Sequence, residues 1–225
     1  MSVCLGSARV CALRVARLDA SCQIVAGANN AIVSSAIVRL QSSPEYEAGD
    51  EFVQKNGCGE IELLVKTLDK LKRMTLQLEL CTRDMELLEL LTGGNLYTEG
   101  ADVIGFSRRG VGASDPDPVS LELWTKAIPT GAGTGSCPSP DAGAAWWRWV
   151  YPRATFTLGD VTHENGIGMV MLSGYAEPNV YWGNGPFNDW PADELLDENS
   201  PEHFVLDSVG PPTAQCGYIT VPSGS

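Results

Sequence analysis

Hydrophobic and polar residues alternate with a period of two along much of the chain, which predicts strands with one face in a core. The clearest case runs over 74–80, where Met74, Leu76, Leu78 and Leu80 alternate with Thr75, Gln77 and Glu79. Weaker versions predict strands over 10–18 and 31–40, paired as a hairpin through a long connection that holds Asp19, Gly27, Asn29 and Asn30. Over 61–68, Ile61, Leu63 and Val65 fall on one face, and Glu62, Leu64 and Lys66 on the other. Further strands are predicted over 101–108 and 120–128. Over 146–158, Trp147, Trp149 and Tyr151 share one parity, and Trp146, Arg148 and Val150 the other. Pro152 cannot donate to a ladder and predicts a bend or an edge there. Gly159 and Asp160 open a turn, and 167–176 returns as the antiparallel partner. Short strands are expected over 204–209 and 217–221.

The period changes once. In TRDMELLELLTGG, Met85, Leu87, Leu88, Leu90 and Leu91 make a wide apolar face at helical spacing. Thr82 is the expected cap, Asp84 and Glu86 favour the positive helix start, and Gly93 and Gly94 supply the stop. ADELLDE, over 192–198, is expected to form one or two helical turns. The whole reads as a mainly β chain with one short α-helix and long loops, organised as a single domain over 1–225. The polar 68–73 reads as a turn, 110–118 as a loop, 129–145 as a Gly/Pro-rich flexible loop and 178–225 as a loop-rich end.

The stretch 42–60, SSPEYEAGDEFVQKNGCGE, combines turn residues and acids with Tyr46, Phe52 and Val53. Long loops in compact domains are uncommon and often functional. Aromatic residues in one suggest a docking element, with a disordered excursion or a short extra hairpin as the alternatives.

Composition narrows the function more by what is missing. There is no apolar run long enough for a transmembrane helix. Arg9, Arg14 and Arg17 interrupt the apolar start, so a signal peptide is not expected. Seven cysteines without CxxC spacing suit free thiols packed as small hydrophobes in a reducing compartment. The net charge is −13, with 12 basic and 14 acidic residues through Gly112 but 3 basic and 14 acidic after it. Such a chain is not built to grip phosphates; charge alone favours plain solubility, with a passage along which DNA slides as the alternative.

Candidates for catalysis are scarce. His163 and His203 are the only histidines, and each has an adjacent glutamate that a strand would turn to the opposite face. The glycines of GAGTG, 131–135, are followed by prolines rather than a helix, so they make no phosphate cradle. Asp189, Asp193, Glu194, Asp197, Glu198 and Glu202 cluster late in the chain and read as a solvated or partner-facing group. No catalytic residue, cofactor or metal site is expected.

The order of features resembles the major tail proteins of siphophages, particularly those infecting actinobacteria. The resemblance is carried by ARVCALRVARLD with AIVSSAIVRLQSSPEYEAGDEF, by QKNGCGEIELLVKTLDKLKR, by MTLQLELCTRDMELLELLTGG, and by WVYPRATFTLGDVTHENGIGMVMLSGYAEPNVYWGNGPFNDWP. It spans about 8–191, and the loop at 129–145 has no place in it. It implies an antiparallel β-sandwich or half-barrel with a flanking helix, located in the virion after synthesis in the host cytoplasm. It further implies hexameric rings stacked into a hollow tail tube, with a tape measure protein and tail terminator or tail tip proteins as partners. DNA would pass an acidic lumen without specific binding, and no membrane is involved. The loop after the first hairpin would reach a neighbouring subunit or ring, which singles out Glu45, Tyr46, Glu47, Asp50, Glu51 and Phe52. Glu60, Glu62 and Glu79 are the lumen candidates, by their place on predicted strands.

Other readings stay open. One is another virion β protein: a tail terminator, a distal tail protein or a capsid decoration protein. Another is a carbohydrate-binding module using Trp146, Trp147, Trp149, Trp182 and Trp190. The third is a hydrolase using Asp193 and Glu194.

Overall fold

The computed structural model describes residues 5–129, 145–161 and 168–223. His163, the GAGTG stretch and most of the 129–145 loop lie outside these. The chain is mainly β, as the alternation predicts, with thirteen strands and one α-helix among the described residues.

Nine strands form one antiparallel sheet. They are β1 (Leu5–Arg17), β2 (Gly27–Ser34), β3 (Ile37–Glu47), β6 (Lys70–Leu80), β9 (Val119–Pro129), β10 (Trp146–Leu158), β11 (Val170–Glu177), β12 (His203–Asp207) and β13 (Tyr218–Val221). The order is β13-β2-β1-β9-β10-β11-β6-β3, with β12 on β10. Two small sheets stand apart: β4 (Glu51–Lys55) with β5 (Ile61–Lys66), and β7 (Asn95–Glu99) with β8 (Asp102–Ser107).

The predicted strand over 31–40 is in fact two, broken at Ser35 and Ala36. β2 lies near one end of the sheet and β3 at the other. Six interstrand spacings would separate them by about 29 Å in a flat sheet, whereas the link from Ser34 to Ile37 reaches at most about 11 Å. The sheet therefore curls until its ends approach. The edge strands β13 and β3 are not hydrogen-bonded to each other, so it stops short of a closed barrel. The result is a sandwich-like half-barrel.

Inside the curl, Leu13, Val15, Ile32, Leu76, Leu78, Leu80, Leu121, Phe156 and Leu172 form the main core. The helix α1 (Met85–Thr92) adds Leu87, Leu88, Leu90 and Leu91 to it. Asp84, not Thr82, caps α1: its side chain accepts from the Leu87 N–H at 3.1 Å. Asp84 sits three residues before that donor, within reach of the first turn, as Thr82 is not. Gly93 ends the helix in the left-handed region at φ 66°, as predicted.

β10 changes partners at Pro152. Trp146–Val150 lie between β9 and β12, whereas Arg153–Leu158 pair with β11. The missing donor is thus accommodated at a register shift between Tyr151 and Ala154.

Of the expected loop-rich end, β12 and β13 join the main sheet, and the stretch between β11 and β12 forms a second layer on the sheet's outer face. Trp182 and Leu196 pack there on Leu18 and Val150. The expected helical turns at 192–198 do not form. The Leu196 N–H donates to Gly183 O at 2.8 Å, which draws the backbone across the sheet instead. The only helical turn in this layer, among the described residues, is a 3-10 turn at Pro186–Asn188.

Five described cysteines carry free thiols, but Cys58, Cys81 and Cys216 are exposed, so packing as small hydrophobes does not hold for them.

Candidate functional site

The segment expected to be a long loop over 42–60 is mostly strand. β3 continues to Glu47 because β6 begins at Lys70, inside what reads as a polar turn, and the two pair as far as Glu47–Lys70. Beyond them the chain reverses in a second hairpin, β4–β5, which projects as an arm. At its base the Thr67 N–H donates to Asp50 O at 3.0 Å, and the Gly49 N–H to Asp69 Oδ1 at 3.0 Å. At its tip Asn56 Oδ1 accepts from the Cys58 and Glu60 N–H groups, both at 3.0 Å.

Every residue of β4 and β5 is exposed. Phe52 faces Val65 and Gln54 faces Leu63 on one side of the arm; Val53 faces Leu64 on the other. Phe52 is 62% exposed and Leu63 51%. Ile61, Leu64, Val65 and, at the base, Leu68 are exposed too. An isolated two-stranded hairpin is marginal in water. One that presents contiguous apolar surface on both faces and two open edges is built to be covered.

The six docking candidates fall into two groups. Asp50, Glu51 and Phe52 are on the arm; Glu45, Tyr46 and Glu47 are on the β3 strand that leads into it. Glu45 is engaged within the chain: Arg73 Nε donates to its Oε2 at 2.6 Å, and Lys72 Nζ lies 3.7 Å from its Oε1. The hydrogen bond from Arg73 holds the Glu45 carboxyl below its usual range. The Arg73 guanidinium also lies over the Tyr175 ring at 4.9 Å. Tyr46 is exposed.

The lumen candidates are not brought together. Glu60 lies in the arm's turn rather than on a strand, and Glu62 is on the arm, so neither belongs to the curled sheet. Glu79 does, on β6, where Arg39 Nη2 donates to it at 2.8 Å.

A second centre was not singled out by its chemistry in the sequence. Arg14 on β1, Glu122 on β9 and Arg148 on β10 meet on the outer face of the sheet, each buried. Glu122 takes hydrogen bonds from both arginines. Asp189 in the overlying layer bridges the same two guanidiniums, with Arg14 Nη2 at 3.2 Å, and its carbonyl accepts from Arg148 Nη1 at 2.8 Å. Trp124 lies 5.2 Å from each guanidinium, and Phe187 sits 3.8 Å over Arg14. Burial alone would weaken the charge on Arg148, but Glu122 and Asp189 outweigh it and raise its affinity for the proton. The signal was present: a charged residue amid apolar neighbours in each of three predicted strands. The network pins the outer layer to the sheet, and its donors and acceptors are used on one another.

The late acidic residues are likewise dispersed. Asp189 enters this network, whereas Glu202 accepts from Ser42 Oγ at 2.9 Å and Tyr151 Oη at 2.8 Å. Asp193, Glu194, Asp197 and Glu198 stay exposed. No group of three His, Cys, Asp or Glu residues is placed to hold a metal among the described residues. His203 is on β12 against the Trp190 ring. All six tryptophans are buried or half-buried, with Trp147 and Trp149 packed on Phe204 at ring distances of 6.0 and 4.9 Å. No family model matches the chain, and no curated protein is detectably similar to it.

Proposed function

We propose that this chain is a structural subunit that assembles with copies of itself, and specifically that it is a major tail protein forming the tail tube of a siphophage. The observation that carries the self-assembly reading is the β4–β5 arm, which presents apolar side chains on both faces and meets no cover among the described residues. The tail-tube assignment rests on the resemblance in feature order. A curled antiparallel sheet whose edge strands β13 and β3 do not pair also suits a subunit whose edges find partners in a ring.

In this reading, rings of six subunits stack, and the arm of one subunit covers apolar surface on a subunit of the next ring. Phe52, Leu63 and Val65 supply the contact, with Asp50 and Glu51 at its rim. Glu45 and Arg73 stiffen the strands that carry the arm. DNA passes through the lumen, towards which Glu79 is the candidate carried by the main sheet; Glu60 and Glu62 travel with the arm. The acidic balance after Gly112 keeps DNA from adhering. Tape measure and terminator or tip proteins complete the tail.

Negative-stain microscopy of the purified chain at high concentration tests the reading. Rings or tubes are expected. Particles that remain monomeric would count against it.

A further inference from the structure

We infer that the outer layer carries a small binding site for a neutral polyhydroxylated ring, a single sugar unit, distinct from the arm. A cavity of about 320 Å³ lies between the turn after β1 and the loop that follows β11. Its lining includes Gln23, Ile24, Tyr181, Trp182, Asn184 and Asn188. Among the described residues no charged side chain lines it, so these offer an ion no counter-charge. Carboxamides both donate and accept, as hydroxyl groups do, which makes amide walls suited to a polyol. Tyr181, 60% exposed, presents a ring at this cavity against which the C–H face of a sugar can stack. Trp182, on the wall, holds its Nε1 donor buried without a partner among the described residues.

The loop is also held in a costly shape. Phe187 and Asn188 both lie in the left-handed region, at φ 63° and 50°, where residues other than glycine are rare. Such a backbone persists only when its surroundings over-determine it, and these outliers gather at ligand sites. Here the surroundings are identifiable. Phe187 is clamped over Arg14, and Asp189 is bound by Arg14 and Arg148. The Trp190 N–H donates back to Asn184 O at 3.1 Å. The buried charge network thus fixes the residues that shape the cavity before a ligand arrives. This site differs from a tryptophan platform: its exposed ring is Tyr181, with Trp182 buried in the wall, and its polar side chains are amides.

Saturation-transfer NMR on the full chain tests it, using the methyl glycosides of glucose, galactose, mannose and arabinose and N-acetylglucosamine as probes. At least one is expected to bind saturably in the millimolar range. Asn184→Ala is expected to weaken that binding by about tenfold, the loss of a hydrogen-bonded pair, with an unchanged melting temperature. Phe52→Glu on the arm is expected to leave it intact, so the result stands apart from assembly. Absence of saturable transfer from every probe would overturn the inference, as would binding undiminished in Asn184→Ala.

Discussion

Arg148 and Glu122, on adjacent strands β10 and β9, hold a two-donor ion pair with almost no water at either residue: Arg148 is 2% exposed and Glu122 1%. Such a pair is weak evidence for net stability, because desolvation offsets most of the attraction, but breaking it is costly. Glu122→Gln leaves Arg14 and Arg148 short of their shared acceptor. It is expected to destabilise the fold by about 3–5 kcal/mol, measured by urea unfolding. Replacing Glu122 and both arginines together with apolar residues of similar volume should lose far less. A triple variant less stable than Glu122→Gln would contradict this account of the network.

Gly174, on β11 between β10 and β6, tests the tightness of the sheet. A Cβ there would lie 2.1 Å from Thr155 O and 2.8 Å from Phe156 Cδ1. Both obstacles belong to a central strand and its core ring. Gly174→Ala is expected to cost about 3 kcal/mol, the upper end for overpacking. Gly110→Ala meets nothing within 4 Å among the described residues and should stay within about 0.5 kcal/mol of the parent. Calorimetry of the two variants side by side decides it.

His203 gives the fold a pH dependence with a definite sign. Burial against the outer layer depresses its pKa below the ordinary 6.5, outweighing the Ser200 backbone, Asp197 and Glu202, which act the other way. The unfolded chain therefore takes up a proton at higher pH than the folded one. The stability contributed by neutral His203 is present above about pH 6.5 and is lost as pH falls from there through the depressed folded value. Melting temperature should drop between pH 7 and pH 5.5, and more steeply than in His203→Gln. Parallel curves for the two proteins would remove His203 from the account.

How much of this was legible in the sequence depended on whether one face of an element was apolar. Met74, Leu76, Leu78 and Leu80 point into the core as their alternation says, and α1 spans the residues its apolar stripe marks. The β3–β6 extension was not legible, because Gln41, Ser42, Ser43 and Glu45 are polar on both faces and carry no period. Their order comes from cross-strand partners such as Arg73, which no local window contains. The break at Ser35 and Ala36 falls where two serines separate short apolar runs, 31–33 and 36–38, which polarity alone does not tell from one uninterrupted strand. In the candidate site, Phe52 was visible as an aromatic where a loop was expected, but the arm's second strand read as an ordinary half-buried one. Arg14, Glu122 and Arg148 were visible singly, and their meeting depends on three strands being neighbours.

The arm should be dispensable for folding and required for association. Phe52→Glu with Leu63→Glu changes only exposed positions, so the monomer's melting temperature should move by less than about 0.5 kcal/mol equivalent per site. The same charges placed in a buried intersubunit contact would each cost several times that. Gly49→Ala is expected to act on the arm from its base, since a Cβ there would lie 2.0 Å from Thr67 O. Sedimentation velocity should show both variants shifted to smaller species than the parent at equal concentration.

The central claim is that the chain self-assembles through this arm, and the most direct test replaces 51–66 with a two-residue Asn-Gly turn and images parent and variant by negative-stain microscopy at matched high concentration. The parent is expected to form rings or tubes, and the trimmed protein to remain folded and unassembled. Rings or tubes of equal length from the trimmed protein, or none from the parent, would contradict the claim.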